Sequence, residues 1–176
     1  MNITTQISKL KMFAVVFAIA TAFTSCDSVI YDGEGDCSVK YRIEFEYERN
    51  MEFADAFASK VSSVALYVLD ESGVLVEQKS ESGEALAADD YAMMLELEPA
   101  EYDLLAWCGV DGKSFTVPTA TVGQTTLDQM LCTMSRKSDA AGSYVDEDLS
   151  ALFHGLKRIN YTDEPGVHTE VLSLTK

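Results

Sequence analysis

Histidine, tryptophan and positive charge are scarce in this 176-residue chain, and each scarcity narrows what the chain can do. The two histidines, His154 and His168, belong to no H-E-x-x-H pattern, and no Cys-x-x-Cys pair or Cys/His cluster has zinc-ligand spacing. Lysine and arginine number 13 against 29 Asp+Glu, a formal net charge of −16. Such a chain repels nucleic acid and anionic lipid headgroups, so neither is an expected partner. No G-x-S-x-G elbow or glycine-rich phosphate loop occurs. No catalytic residue, metal, cofactor or small-molecule substrate is therefore expected. Internal repeats and low-complexity blocks are also missing. A hydrophobic content of 47% argues against disorder.

What is present begins at the N-terminus. Lys9 and Lys11 precede an uncharged apolar run, Met12 to Phe23, of 12 residues. That is about half of the ~20 a helix needs to span a bilayer, so the run reads as the core of a secretory signal. It closes on Phe23-Thr24-Ser25-Cys26, small residues leading into a cysteine as in a bacterial lipobox. Phe23 stands where leucine is usual, and the competing reading is an ordinary signal-peptidase site beside a cysteine. In the lipoprotein pathway the Cys26 thiol takes a diacylglycerol, the peptide is cut before it, and the new amine is acylated. Each buried CH₂ contributes about 0.8 kcal/mol, and two or more chains hold a protein stably. Residues 1–25 are thus the expected leader, Cys26 the expected lipidation site, and the membrane a partner through its acyl chains. Residues 26–37, with Asp27, Asp32, Glu34 and Asp36 among glycines, read as an acidic tether. Such acidic starts resemble a surface-export signal of Gram-negative lipoproteins. The alternate carboxylates of Asp32-Gly33-Glu34-Gly35-Asp36 lack EF-hand spacing and its closing Glu.

Residues 38–176 have the length of one domain with a real core. Val39, Tyr41, Ile43, Phe45 and Tyr47 alternate with charged residues, which predicts a half-buried strand. Asn50 to Phe57 reads as a short helical excursion with Met51, Phe53, Ala54 and Phe57 on one side. Val61 to Leu69, a turn at Asp70 to Gly73, and Val74 to Lys79 read as a hairpin. After a polar crossover at Ser82 to Asp90, strands are expected at Tyr91 to Leu97 and Tyr102 to Cys108, joined by a turn at Pro99. Weaker signals give a brief strand at Ser114 to Val117, a helical turn at Thr126 to Met130, strand again at Leu131 to Met134, and a short helix at Asp146 to Phe153. Leu156 to Tyr161 and Val167 to Leu174 read as a final strand pair. Seven to nine short strands with turns between them predict an all-β sandwich with short helical insertions. No strand–helix–strand alternation of the parallel-sheet kind is seen. The pattern is still that of a strand where the chain stops at Lys176.

Four cysteines are present, and with Cys26 lipidated three remain in an oxidising compartment, one pair and one left over. Cys37 and Cys108 each flank a predicted strand end and are the favoured disulfide, with Cys132 left as a buried thiol. Spacing alone does not fix the connectivity. His154, in Leu152-Phe153-His154-Gly155, reads as a helix-end histidine near the last carbonyls rather than as a ligand or base. Trp107 and the tyrosines Tyr41, Tyr47, Tyr67, Tyr91 and Tyr102 raise the alternative of a surface lipoprotein that holds glycans or host ligands on exposed aromatics. Their alternate spacing on strands makes core packing the default.

The leader and its cysteine, then YRIEFEYERNMEF (41–53) running into Ala54–Phe57, VALYVLDESG (64–73), Tyr91–Leu97, EYDLLAWCG (101–109) and Leu152–Gly155 follow one another in a familiar order. The chain resembles the FimB-like fimbrial anchor subunits, lipoproteins of the minor-fimbrium anchoring type. The resemblance implies a transthyretin-like β-sandwich held at the outer membrane, exposed at the cell surface at the base of a fimbrium. It implies a subunit that tethers the fimbrium and limits its length, with fimbrial subunit proteins as partners joined by strand addition. Members usually carry a second β-sandwich after the first, and the expectation here is the lipid anchor and first domain only.

Overall fold

The apolar and charged alternation after residue 38 forms strand β1 (Val39–Glu46), with Tyr41, Ile43 and Phe45 buried. The computed structural model describes residues 39–51, 54–88, 90–146 and 148–176. The expected leader, Cys26, the tether and Cys37 lie outside them. A four-residue helix α1 (Phe57–Lys60) precedes β2 (Ser63–Leu69), which turns into β3 (Leu75–Ser82). In that turn Asp70 Oδ1 accepts the N–H groups of Ser72 (2.9 Å) and Val74 (3.0 Å), and Gly73 supplies a φ of 75°. β4 (Met93–Leu95) and β5 (Ala100–Cys108) follow. Then come two small ribbons, β6 (Phe115–Thr116) with β7 (Thr133–Met134) and β8 (Lys137–Asp139) with β9 (Gly142–Tyr144). β10 (Phe153–Tyr161) and β11 (Gly166–Ser173) complete the chain.

Seven of these strands build two sheets, ordered β11-β1-β4 and β10-β5-β2-β3, so the expected all-β sandwich is what forms. The core lies between their inner faces. Ile43 and Phe45 meet Val64, Leu66 and Val68 of β2, Leu104 and Ala106 of β5, and Ile159 of β10. A second, smaller cluster lies on the outer face of the four-stranded sheet. There Leu69 and Leu105 of the sheet are buried against Met130 of the excursion between β5 and β10, with Val117, Ala120 and Leu127 packed against them. Backbone bonds pin that excursion along the β2–β3 hairpin, from Leu75 N–H to Thr125 O (2.8 Å) and from Leu127 N–H to Gly73 O (2.9 Å). Thr126 and Gln129 form a capping box on its 3₁₀ turn Leu127–Gln129.

Several expectations need correction. The final strands do not pair with each other: β10 joins β5 antiparallel and β11 joins β1 in parallel, so Thr162 to Pro165 is a crossover between sheets. The parallel pair arises without a strand–helix–strand unit, because nearly the whole domain lies between its two strands. Among the described residues of the expected excursion, 50–51 and 54–56 are not helical, α1 begins only at Phe57, and Met51 is 93% exposed. Asp55 Oδ1 accepts the N–H groups of Tyr47 (2.8 Å) and Phe57 (3.0 Å), and Asn50 Nδ2 donates to Tyr47 O and Ala54 O. Such side-chain bonds compete with helical ones. The helix expected at Asp146 to Phe153 is absent among the described residues. The backbone there instead runs past Gly109, which has φ 78° and a Cβ direction aimed at Ala151 O. The β8–β9 ribbon escaped the sequence reading, although Asp139 and Gly142 are its turn signal: Asp139 Oδ1 accepts from Ala141 N–H at 2.7 Å.

One side of the sandwich is sealed. After β11 the chain crosses to β10, where His154 and Thr175 exchange backbone bonds of 2.9 and 2.8 Å. Lys157 Nζ reaches from β10 to Val171 O (2.9 Å) and to Glu170 (2.7 Å). Gly155 allows this approach, since a Cβ there would sit 2.8 Å from Ser173 O. That nearest atom is backbone and cannot swing away, and the side chains of Leu172 and Leu174 stand 3.2 Å from the same point. Gly155→Ala is expected to cost about 1–3 kcal/mol, as overpacking does, and to lower the melting temperature by several degrees in a thermal unfolding scan. An unchanged midpoint would contradict this account of the seam.

Candidate functional site

The opposite side of the sandwich, between the free edges of β3 and β4, is open. β4 covers only Tyr41 to Ile43 of β1, and the chain then leaves the sheet through Glu96 to Glu98. A cleft of about 590 Å³ follows, lined by Val39, Val76, Leu97, Tyr102 and Tyr161, with Glu96 and Glu98 at its rim. Tyr102 donates its hydroxyl to Glu98 O (2.9 Å) at the floor. At the other end, Lys79 Nζ crosses from β3 to Met94 O and pairs with Glu77 (3.1 Å). Tyr91 donates to Glu81 Oε2 (3.2 Å) and lies over Phe45 and Phe57, at centroid distances of 6.1 and 5.8 Å. Burial first, and then the Glu81 charge, push its phenol well above the ordinary range, so it stays a neutral donor. Edge backbone groups beside an apolar slot can receive an extended peptide segment.

This shortened edge was not named from the sequence, which extended the strand over Tyr91 to Leu97. The readable signal was the run Glu96-Leu97-Glu98-Pro99, since the residue before a proline and paired charges both weaken a strand. Other expected site residues fall elsewhere. Cys26 and Cys37 lie outside the described residues. Cys108 ends β5 fully buried with a free thiol, which burial pushes up to about 12. Cys132 is also free, but only half-buried rather than in the core. His154 sits on β10 and not at a helix end, its ring 5.6 Å from Trp107. His168 Nε2 is 2.9 Å from Glu164 O, and its ring stacks on Tyr41 at 4.7 Å. Among the described residues no group of three or more His, Cys, Asp or Glu is placed to hold a metal. Tyr41, Tyr47 and Tyr102 are buried in the core, whereas Tyr67 and Trp107 are half-buried on the outer face of the four-stranded sheet.

Residues 34–176 match the family model of fimbrillin-A associated anchor proteins Mfa1 and Mfa2. The chain belongs to that family. It is a family of fimbrial anchor proteins and not of enzymes. Among this chain's relatives is the minor fimbrium anchoring subunit Mfa2 of Porphyromonas gingivalis, 25% identical over 117 residues, which are 66% of this chain and 36% of that one. A solved protein of Bacteroides thetaiotaomicron, described as a candidate polysaccharide-binding protein, superposes with a TM-score of 0.66 at 30% identity. That match covers 78% of this chain and 46% of the other. The solved Mfa2 of Porphyromonas gingivalis shares the fold, with a TM-score of 0.60 at 18% identity over 78% of this chain and 50% of that one. The chain thus spans about half the length of these solved relatives.

The outer faces of the sheets also differ in charge pairing. On the four-stranded sheet Arg158 grips Asp103 with two bonds of 2.8 Å. These hydrogen bonds hold the Asp103 carboxyl below the ordinary carboxylate range, against the opposing effect of burial. A depressed carboxyl adds stability at neutral pH that is lost as pH falls through its folded value. Arg158→Met is therefore expected to lower the melting temperature slightly at pH 7. The difference from wild type should shrink as pH falls through the Asp103 titration and vanish once that carboxyl is protonated in both folded and unfolded chains. A difference that persists or widens in acid would reverse the assignment.

Proposed function

We propose that this chain is a lipid-anchored subunit of the outer membrane that tethers a fimbrium to the cell surface and limits its length. The observation that carries the reading is family membership across residues 34–176, together with a relative named as a minor fimbrium anchoring subunit. Residues 1–25 act as the signal, and Cys26 as the acylated residue. Residues 26–37 act as an acidic spacer and 38–176 as the β-sandwich domain. Acylation at Cys26 with more than one chain supplies stable attachment, while the acidic surface keeps the domain off anionic headgroups. The cleft at the β3 and β4 edges supports strand addition by a fimbrial subunit, since an unfilled edge offers main-chain partners and an apolar slot. A subunit held in lipid that accepts one neighbour ends the fibre at that point, which is how anchoring and length control become one property.

Two experiments test the reading. Cells fed a radioactive fatty acid are expected to label the wild-type chain and not Cys26→Ala; an unlabelled wild type refutes the lipid. For the edge, Leu97→Asp places a charge in the slot and is expected to weaken co-purification with the fimbrial subunit by about tenfold or more, without loss of the thermal transition. Equal recovery of the partner by both forms would move the contact to another surface.

A further inference from the structure

The outer face of the four-stranded sheet carries a second cleft, of about 390 Å³, away from the open edge. Its shape follows from the cross-strand register. His154, Trp107, Ala65 and Ser80 form one row, and Leu156, Leu105, Tyr67 and Gln78 the next. In the first row bulky rings on β10 and β5 step down to an alanine and a serine on β2 and β3. In the next row Tyr67 closes the end of the step. Ser63 and Ser82, paired on the far side, continue the small-residue floor, and Val117 of the excursion overhangs it. A ring-wide notch results, with an indole on one wall, a phenol at the end and hydroxyls on the floor.

We propose that this notch binds the ring of a neutral pyranose. Such a sugar has an apolar C–H face, which an aromatic wall accepts, and hydroxyls at its rim, which need donors and acceptors. Trp107 is held ready for stacking: its Nε1–H donates to Met130 O (3.3 Å), and His154 packs on it at 5.6 Å. The ring therefore loses little conformational entropy on binding. The hydroxyls of Ser63, Ser80 and Ser82 have no protein hydrogen-bond partner among the described residues, and each can both donate and accept. A wholly apolar ligand would leave them unsatisfied, which costs binding free energy. The chain carries a formal charge of −16, so sugars bearing carboxylates are disfavoured. The volume lies in the usual range of small-molecule sites, roughly 300–1,000 Å³.

Trp107 is the sole tryptophan, so its emission reports on this wall and on no other place. The full chain is titrated with glucose, galactose, mannose and N-acetylglucosamine, their disaccharides, and glucuronic acid. A saturable change of emission with at least one neutral sugar is expected, and a weaker response to glucuronic acid. Ala65→Leu fills the floor from an outward position and is expected to reduce affinity by about tenfold or more, with the melting temperature unchanged. Ser80→Val on the edge strand is the second plug, used in the same way if the first variant is unstable. No emission change with any neutral sugar up to about 50 mM overturns the proposal. So does undiminished binding by a folded plug variant, or a response led by glucuronic acid. The readout is independent of lipid and of any fimbrial partner.

Discussion

The pairing of the first strand with the last is the constraint on which the rest of this structure depends. β1 and β11 lie parallel in one continuous register, from Val39 beside Gly166 to Glu46 beside Ser173. A parallel pair cannot be made by a tight turn, and here its connection is nearly the whole domain. Tyr41 is the point at which the closure is checked. Its ring stacks on Tyr161 at 3.9 Å, while its hydroxyl accepts the Thr162 N–H at 2.8 Å and donates to Asn160 O at 3.2 Å. One buried side chain of β1 thereby fixes the crossover that delivers β11. Every contact in this set spans more than a hundred residues, so it forms only after the intervening strands have been gathered.

The closure also makes the molecule asymmetric. Where β10 and β11 meet, the sheets are joined by backbone bonds, a lysine bridge and a glycine that admits the close approach. Where β3 and β4 face each other, the lysine of one and a carbonyl of the other are joined at one end, and a cleft fills the rest. The two outer faces differ in the same way. The four-stranded sheet is partly covered by the β5–β10 excursion, whereas the three-stranded one presents Arg42, Glu44 and Glu46 from β1. A sealed seam, an open edge, a covered face and a charged face leave few places where another molecule can dock.

Legibility in the sequence followed the periodicity. β1, β2 and β5 were readable because one of their faces is buried, and burial of one face imposes alternation. The sandwich class followed from their number and spacing. Pairing was not legible: β10 and β11 read as a strand pair because their separation is short, and nothing local in Thr162 to Pro165 records that the chain changes sheets. The false helix at Asn50 came from apolar residues that would share one side, and the one at Asp146 from acidic residues at its start. Asp55, Asn50 and the close pass at Gly109 dictated otherwise through bonds and contacts that a pattern does not carry. Of the candidate sites, the Trp107 wall was visible as a residue but not as a notch. The notch needs Ala65 and Ser80 beside the ring, and only the register puts them there.

The parallel ladder has a mechanical meaning as well. Val39 and Ser173 lie at opposite ends of β1–β11, so a force pulling the chain apart at those points slides one strand along the other. The hydrogen bonds of the ladder are then loaded in shear and must fail together. A hairpin such as β2–β3, pulled from its two open ends, would unzip rung by rung. A domain of this topology stretched along its own chain therefore resists as a unit, and it does so without a covalent cross-link between the two strands that bear the load.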